Sequence, residues 1–517
     1  MNLNISLYNK KDIYFYLLLL ITLGAIFFTY PFLRFPYDMW DHLFAIDDFN
    51  ISQVPGARDI WHAFWRHTFA LLSIDQSQIL LRARIIHITQ TLLSFFTVYL
   101  FGKVIIRHIF THIDHLTLRY MSYWSTLIWF TIFATFSVHY HHIWILWYSV
   151  NYQITLPLFW YITALTIIIL FEPISWKIKL FYGIQIILIS RFILQAHSME
   201  YLYYLMYLSV LLLLYIRELI PIFKKYYYLV IPIILLPIFF SQYYQAEKSQ
   251  LFTYLYSYRF SDLYRAILEQ GDLLLAGANR ASAAVNELMK VALFSGSAML
   301  IALLLQKIKG KDQGVRPKMF LFLFITSLFF LIPLYTFSGG FAAIVTKMGA
   351  VNRFYYSASL FVLLPVALYY FISLAAKKNR LLYLNLLLPA VVLVTFFYSK
   401  YVSSSHNYAD NVHSFLQSFK EREVGFNLSN EQIKTIGTVL EEYKSQAQNN
   451  KEILYYARPD IATVLKFIYR ENVYWRGRRI NPTLEKFQKY ILTLDPKQTQ
   501  GIVFKTPEGF PDYTPYR

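Results

Sequence analysis

Cysteine is absent from this chain of 517 residues. Disulfides, thiolate nucleophiles and cysteine-based metal sites are therefore excluded. Charge is scarce as well: 15% of residues are Asp, Glu, Lys or Arg, where a soluble domain carries about 25%. The shortage is not spread evenly but empties long blocks, which excludes an ordinary soluble fold along the whole chain. Acids are scarcer than bases, 30 against 48, and the net charge is +18. The chain shows no low-complexity segment and no internal repeat, which argues against a transporter built from two repeated halves.

What the chain has in abundance is apolar length and aromatic rings. Hydrophobic residues make up 57%, and there are 45 Phe and 44 Tyr. Apolar blocks of about 18 residues or more read as membrane spans. They lie near Ile13–Tyr30, Ile85–Ile106, Tyr120–Val138, Ile154–Phe171, Leu180–Leu194, Tyr201–Ile216, Tyr226–Gln242, Val291–Gln306, Met319–Phe337, Phe354–Ala376 and Leu381–Tyr398. The first block follows Lys10 and Lys11 and ends in Phe27, Phe28, Tyr30 and Phe32. With no small-residue cleavage site there, it reads as a retained span rather than a signal peptide.

The basic surplus has a use that needs no nucleic acid. Lys and Arg gather in the gaps holding Lys103/Arg107/Arg119, Lys177/Lys179, Arg217/Lys224/Lys225, Lys307–Lys318 and Lys377/Lys378/Arg380. The short loops opposite, His139–Gln153 and Gln195–Glu200, carry neither residue. The positive-inside rule makes the first set cytoplasmic, with anionic membrane lipids as its partners. The expected fold is an α-helical polytopic membrane protein of about eleven transmembrane helices. Residues 1–400 form the transmembrane domain, with long outer loops at 31–84 and 243–290. Residues 401–517 form a small α/β soluble domain, with a helix over Glu431–Lys444, a strand at Ile453–Ala457, a helix from Pro459, and strands at Val473–Trp475 and Ile502–Phe504. The basic gaps put the N-terminus in the cytoplasm, and an odd span count then puts the tail outside. The Tyr-, Ile- and Lys-rich usage points to a bacterial inner (plasma) membrane, with the tail periplasmic or extracellular. An endoplasmic-reticulum protein would share this topology.

The strongest chemical signal follows the first span: Phe35-Pro36-Tyr37-Asp38-Met39-Trp40-Asp41-His42, then Asp47 and Asp48. Asp38 and Asp41 share a face if that segment is helical. A carboxylate partly desolvated at a membrane boundary can serve as a general base; solvated loop acids are the plainer alternative. Farther along the same loop, Ile60, Trp61, Phe64, Trp65 and Phe69 recur at helical spacing, with Arg58, His62 and Arg66 elsewhere on the wheel. Such a helix either lies along the membrane surface or packs on the protein. His197 and Glu200 sit one helical turn apart and could position substrate or bind a metal. His139, His141 and His142 could hold a divalent metal, but no fourth ligand is in view, and the sequence requires no cofactor. Arg191 lies near a span end and could be a functional charge. Arg476-Gly477-Arg478-Arg479 reads as a solvated run or as a contact to an anionic lipid or substrate.

This order of parts resembles the GT-C superfamily of integral-membrane glycosyltransferases, which includes protein O-mannosyltransferases, the aminoarabinose transferase of lipid A and oligosaccharyltransferases. There, span one leads into a long outer loop that opens on acidic residues, and a soluble outer domain often ends the chain. Arg82–Lys103 is similar in style to the family's second span, and Asn352-Arg353-Phe354-Tyr355 resembles its Arg-aromatic motif. The resemblance implies an inverting transfer of sugar from a polyprenyl-phosphate donor to a lipid, glycan or protein acceptor on the outer face. Asp38 or Asp41 would be the base, with His42, Asp47, Asp48 and Glu200 contacting substrate. Arg353, His197 and Arg191 would face the donor phosphate, Arg353 foremost because its fork fits phosphate oxygens. The chain lacks the oligosaccharyltransferase motif Trp-Trp-Asp-Tyr-Gly and has Asp-x-x-Asp where O-mannosyltransferases have an adjacent Asp-Glu pair. That leaves the subfamily and the acceptor open. Polysaccharide polymerases or ligases, a lipid or solute transporter, and a non-catalytic assembly subunit are the other readings.

Overall fold

The computed structural model describes residues 10–29, 59–75, 78–135, 152–196, 198–239, 283–308, 314–334, 357–376, 379–402, 430–446, 453–457, 459–473, 488–494 and 502–505, with residues 43, 46, 264, 265, 268 and 269. The chain divides into two compact units. One comprises Met1–Thr22, Thr89–Leu146 and Asn151–Phe415; the other comprises Leu23–Ile88, Trp147–Val150 and Leu416–Arg517.

The helices through the first 402 residues are α1 (Lys10–Thr29), α2 (Asp59–Leu71), α3 (Ile79–Ile109), α4 (His115–Thr135), α5 (Tyr152–Phe171), α6 (Trp176–Ala196), α7 (Ser198–Phe239), α8 (Ala283–Ile308), α9 (Pro317–Ser327), α10 (Leu360–Ala375) and α11 (Arg380–Val402). Among the described residues, five stretches are long and apolar enough to cross a membrane: Ile79–Ile109, Ile154–Phe171, Trp176–Ala196, Met199–Glu218 and Leu288–Ile308. Shorter apolar helices cover Ile13–Thr22, Pro317–Ser327, Leu360–Ala375 and Arg380–Val394. Whole rows of apolar side chains stay exposed, such as Ile13, Leu17 and Leu20 on α1, and Phe181, Ile184 and Leu188 on α6. Water-soluble proteins rarely expose patches of that extent. This is the character of a helical membrane protein.

The core of the first unit is aromatic. Phe101 of α3 meets Trp160 of α5 at 4.6 Å between ring centroids, and Trp160 meets Phe361 of α10 at 5.0 Å. Tyr207 of α7 closes the cluster against Phe159 at 5.2 Å and Phe322 of α9 at 5.7 Å. The Tyr207 hydroxyl is buried, and it donates to the Ser357 carbonyl at 2.5 Å. A hydroxyl group of three lies nearby: Ser359 Oγ is 2.6 Å from Thr326 Oγ1 and 3.1 Å from Ser327 Oγ. Helices α8 and α10 approach closely at Gly296, where an added Cβ would come 2.8 Å from a Leu363 methyl. Small residues at such crossings let membrane helices pack.

The basic gaps converge at one end of this unit. Arg316 donates its backbone N–H to Ile109 O at 2.7 Å, and Thr111 donates to Gly314 O at 2.8 Å. Arg107 pairs with Glu172 at 3.2 Å, and Arg316 Nη1 lies 3.5 Å from His108 Nδ1. Lys318 pairs with Glu218 at 2.5 Å. The Phe110 ring stands edge-on to Tyr369, near the end of α10. Asp114 caps α4, accepting from the Thr117 N–H at 2.9 Å. The end of α3, the start of α4, the end of α5, the Glu218 turn of α7, the start of α9 and the end of α10 therefore share one end.

Two expectations change. Tyr201–Ile216 and Tyr226–Gln242 read as separate spans in the sequence, but one 42-residue helix, α7, continues across the gap between them from Ser198 to Phe239. The basic gap between them contains no glycine, and its Arg, Glu, Leu and Lys residues are good helix formers. Pro221 alone does not end the helix. The expected span Met319–Phe337 is helical only to Ser327 and continues as a 3-10 helix over Leu328–Leu334. Pro333 has no N–H to give and its ring opposes the carbonyl one turn back, which loosens α-helical pairing there.

In the second unit, α12 (Asn430–Gln446) precedes β1 (Ile453–Ala457), α13 (Pro459–Phe467), β2 (Asn472–Val473), β3 (Gln488–Leu494) and β4 (Ile502–Lys505). The strands form one sheet in the order β2-β1-β3-β4. β1 is parallel to β2 and to β3, and β4 is antiparallel to β3. Parallel pairing of β1 and β2 requires a crossover, which α13 supplies. Tyr469 donates to Ile433 O at 2.7 Å, and Lys444 pairs with Glu471. The Glu471 N–H reaches back to Leu465 O at 3.0 Å, and Arg470 has φ +57°. That closes α13 with a left-handed residue at its C-terminal turn.

Candidate functional site

The acidic segment and α2 both belong to the stretch 31–84, expected from the sequence to be the first outer loop. Trp61, Trp65 and Phe69 of α2 are each no more than 1% exposed. Trp65 stacks on Phe69 at 5.5 Å, and Trp61 stands edge-on to Trp65 at 6.4 Å. His62, expected off the apolar face, is buried against Trp61, with ring centroids 5.2 Å apart. Phe64, expected on that face, is exposed along with Leu71 and Leu72. The buried stripe is thus rotated by about one position, and protein covers it. Of the two alternatives for this helix, packing on the protein describes its aromatic face.

Two arginines tie the loop together. Arg66 Nε donates to the carbonyl of Ile46 at 2.6 Å. Ile46 and Leu43 are each 1% exposed, and they interleave in sequence with Asp41, His42, Asp47 and Asp48. A guanidinium is therefore bonded to the backbone at Ile46, one residue before Asp47 in the sequence. Arg82 closes the other end of α2. Ser73, at φ +55°, turns the chain out of the helix. Arg82 then reaches back to the Ile74 carbonyl through Nε at 3.1 Å and Nη2 at 2.5 Å. Its guanidinium lies 5.0 Å from the centre of the Phe69 ring, in reach of a cation–π contact.

Asp38, Asp41, His42, Asp47, Asp48, His197 and Arg353 lie outside the described residues, as do His139, His141, His142 and Arg476–Arg479. Arg191 is exposed on α6, five residues before its end. Glu200 is 2% exposed in the first turn of α7, where a carboxylate faces the positive end of the helix dipole. Helix α6 starts four residues after Glu172, so the α6–α7 turn lies at the end of the first unit opposite the basic cluster. Among the described residues no three His, Asp or Glu side chains converge as metal ligands.

Arg66 and Arg82 do not stand out as site residues in the sequence. A signal for Arg82 is there all the same: an arginine at the fourth position of a helix that is otherwise a membrane span. The bond from Arg66 to Ile46 joins positions twenty apart in an irregular segment, and no periodicity reports such a contact. No family model, no curated protein and no solved structure matches the chain.

Proposed function

We propose that this chain is a GT-C-type membrane glycosyltransferase. It moves sugar from a polyprenyl-phosphate donor to a lipid, glycan or protein acceptor on the outer face of the membrane. The observation that supports the reading is the Arg66–Ile46 bond, which joins a guanidinium to the backbone one residue before Asp47 in the sequence. Arg353, His197 and Arg191 are the donors that the resemblance assigns to the leaving phosphate, where charge develops.

The helix ends support eleven crossings. Glu218 and Arg316 both lie at the basic end, and α8 runs toward that end. On this reading the chain crosses back once between Glu218 and the start of α8. With α1, α3 to α6, α7 and α8 to α11, that makes eleven. The basic end is cytoplasmic, and residues 401–517 form an outer soluble α/β domain.

The test is sugar transfer by membranes carrying the chain, using labelled polyprenyl-phosphate sugars. Asp38→Asn or Asp41→Asn removes transfer at unchanged expression, and Arg66→Ala lowers it at least tenfold, with Arg66→Lys retaining part. Transfer at wild-type levels in both Asn variants refutes the reading. A second reading, a lipid or solute transporter, draws on one feature: α9 breaks into a 3-10 helix at Leu328, beside the Thr326–Ser327–Ser359 hydroxyls. Broken helices inside a bundle often mark transport sites. Wild-type membranes that transfer no sugar from any donor favour it.

A further inference from the structure

Helix α3 carries four buried polar side chains on one face: Gln90, Thr91, Ser94 and Thr97, none above 4% exposed. Two of them are satisfied by their own helix. Ser94 Oγ donates to Gln90 O at 2.8 Å, and Thr97 Oγ1 donates to Leu93 O at 2.8 Å. The other two are not. Among the described residues, neither the nitrogen nor the oxygen of the Gln90 amide has a hydrogen-bond partner, and the same holds for Thr91 Oγ1. They lie well inside a helix long and apolar enough to cross a membrane. One turn farther along, Phe95 packs on Tyr123 and Phe130 of α4.

Buried polar groups are nearly always bonded, and a membrane interior offers no water by default. A leucine and a valine would fill these positions without stranding polar atoms. The chemistry of the pair narrows what they would bind. Gln90 presents a donor and an acceptor side by side, and the Thr91 hydroxyl does both. A phosphate would need donors only, and a metal cation acceptors only. From residue 85 to residue 102 the helix holds no Asp, Glu, Lys or Arg, so the site carries no fixed charge of its own from this helix. We propose that Gln90 and Thr91 form a binding site for a neutral polyol, the hydroxyl face of a sugar or glycoside. The polyol arrives either on a lipid or free in solution. Such a site is independent of the sugar-transfer reading, since a transporter would use it equally.

The test reads stability and needs no catalytic assay. The full chain is placed in bilayer discs of phosphatidylcholine, which has no free hydroxyl, and its thermal unfolding midpoint is measured. Gln90→Leu and Thr91→Val raise the midpoint by roughly 1–2 °C, since the shift per kcal/mol shrinks as the chain lengthens. Adding monoglucosyl diacylglycerol to the discs, or methyl glucoside to the buffer, raises the wild-type midpoint and leaves Gln90→Leu unmoved. A shift with the glycolipid alone identifies a lipid-borne ligand, and a shift with the glycoside a soluble one. The proposal is overturned if Gln90→Leu lowers the midpoint, or if neither probe separates wild type from variant. Should Gln90→Leu not fold, the shape-conserving Thr91→Val decides by the same two readings.

Discussion

At the scale of single residues, the second unit offers the sharpest test of packing. Gly437 of α12 faces Tyr469, and an added Cβ would lie 2.5 Å from the tyrosine hydroxyl and 2.9 Å from its ring carbon. Gly437→Ala must displace a ring whose hydroxyl is bonded to Ile433 O. A cost of about 1–3 kcal/mol is expected, typical of overpacking. Tyr469→Phe costs about 0.5–1.5 kcal/mol for the lost hydrogen bond. The double variant costs less than the sum, because removing the hydroxyl also relieves the crowding. Hydrogen exchange of α12 amides in the full chain reads all three. Burial pushes the Tyr469 phenol above its usual pKa, so it stays protonated and donating through neutral pH. Its contribution is lost only in alkali, as pH rises through that raised value. Arg470 provides the opposite sign. It holds a left-handed conformation that glycine adopts without strain, so Arg470→Gly stabilises α13 by about 0.5–1 kcal/mol, read by the same exchange. Neither site is legible in the sequence: Gly437 looks like a flaw in a helix until the tyrosine across from it is seen.

Elements are more legible than their ends. The helix expected over Glu431–Lys444 is α12, and the strand expected at Ile453–Ala457 has those bounds. Apolar periodicity and flanking Pro459 suffice there. β3 is absent from the sequence reading, although Lys489-Tyr490-Ile491-Leu492-Thr493-Leu494 suits a strand. Its neighbours in the sheet come from distant sequence, and a lone short apolar run does not announce its pairing. The sharpest divergence is α7, where charge patterning suggests a turn at Arg217–Lys225 and the backbone continues. The lack of cysteine makes this testable cleanly, since a pair introduced at Ser209 and Leu235 would be unique. Spin labels there should lie about 39 Å apart along a continuous helix. A hairpin would bring them within roughly 10–20 Å, given interaxial distances of about 8–10 Å. The short distance would move the return crossing into α7 itself.

At the scale of the whole molecule, composition alone conveys the membrane character, because long blocks emptied of charge suit a bilayer interior and little else. The candidate site is half legible. The acidic segment stands out in sequence, but the nearby bond from Arg66 to Ile46 is a side chain reaching a backbone carbonyl, which leaves no pattern. The proposed orientation makes a direct prediction. A cysteine replacing Lys434 should react with a membrane-impermeant thiol reagent in intact spheroplasts. One replacing Lys177 should react only after permeabilisation. The reverse pattern would place the tail on the cytoplasmic side and remove an outward-facing active site.

The backbone stitch between Ile109 and Arg316 also sets a timetable for synthesis. His108 and Arg316 are 208 positions apart, and ribosomes add about 5–20 residues per second. The C-terminal end of α3 therefore waits on the order of 10–40 s for the strand of chain that completes it. During that interval Thr111 and Ile109 lack the backbone partners they have in the finished protein. A nascent chain halted before Gly314 would present that end unfinished, and quality-control proteases that sample emerging membrane proteins would meet it in that form.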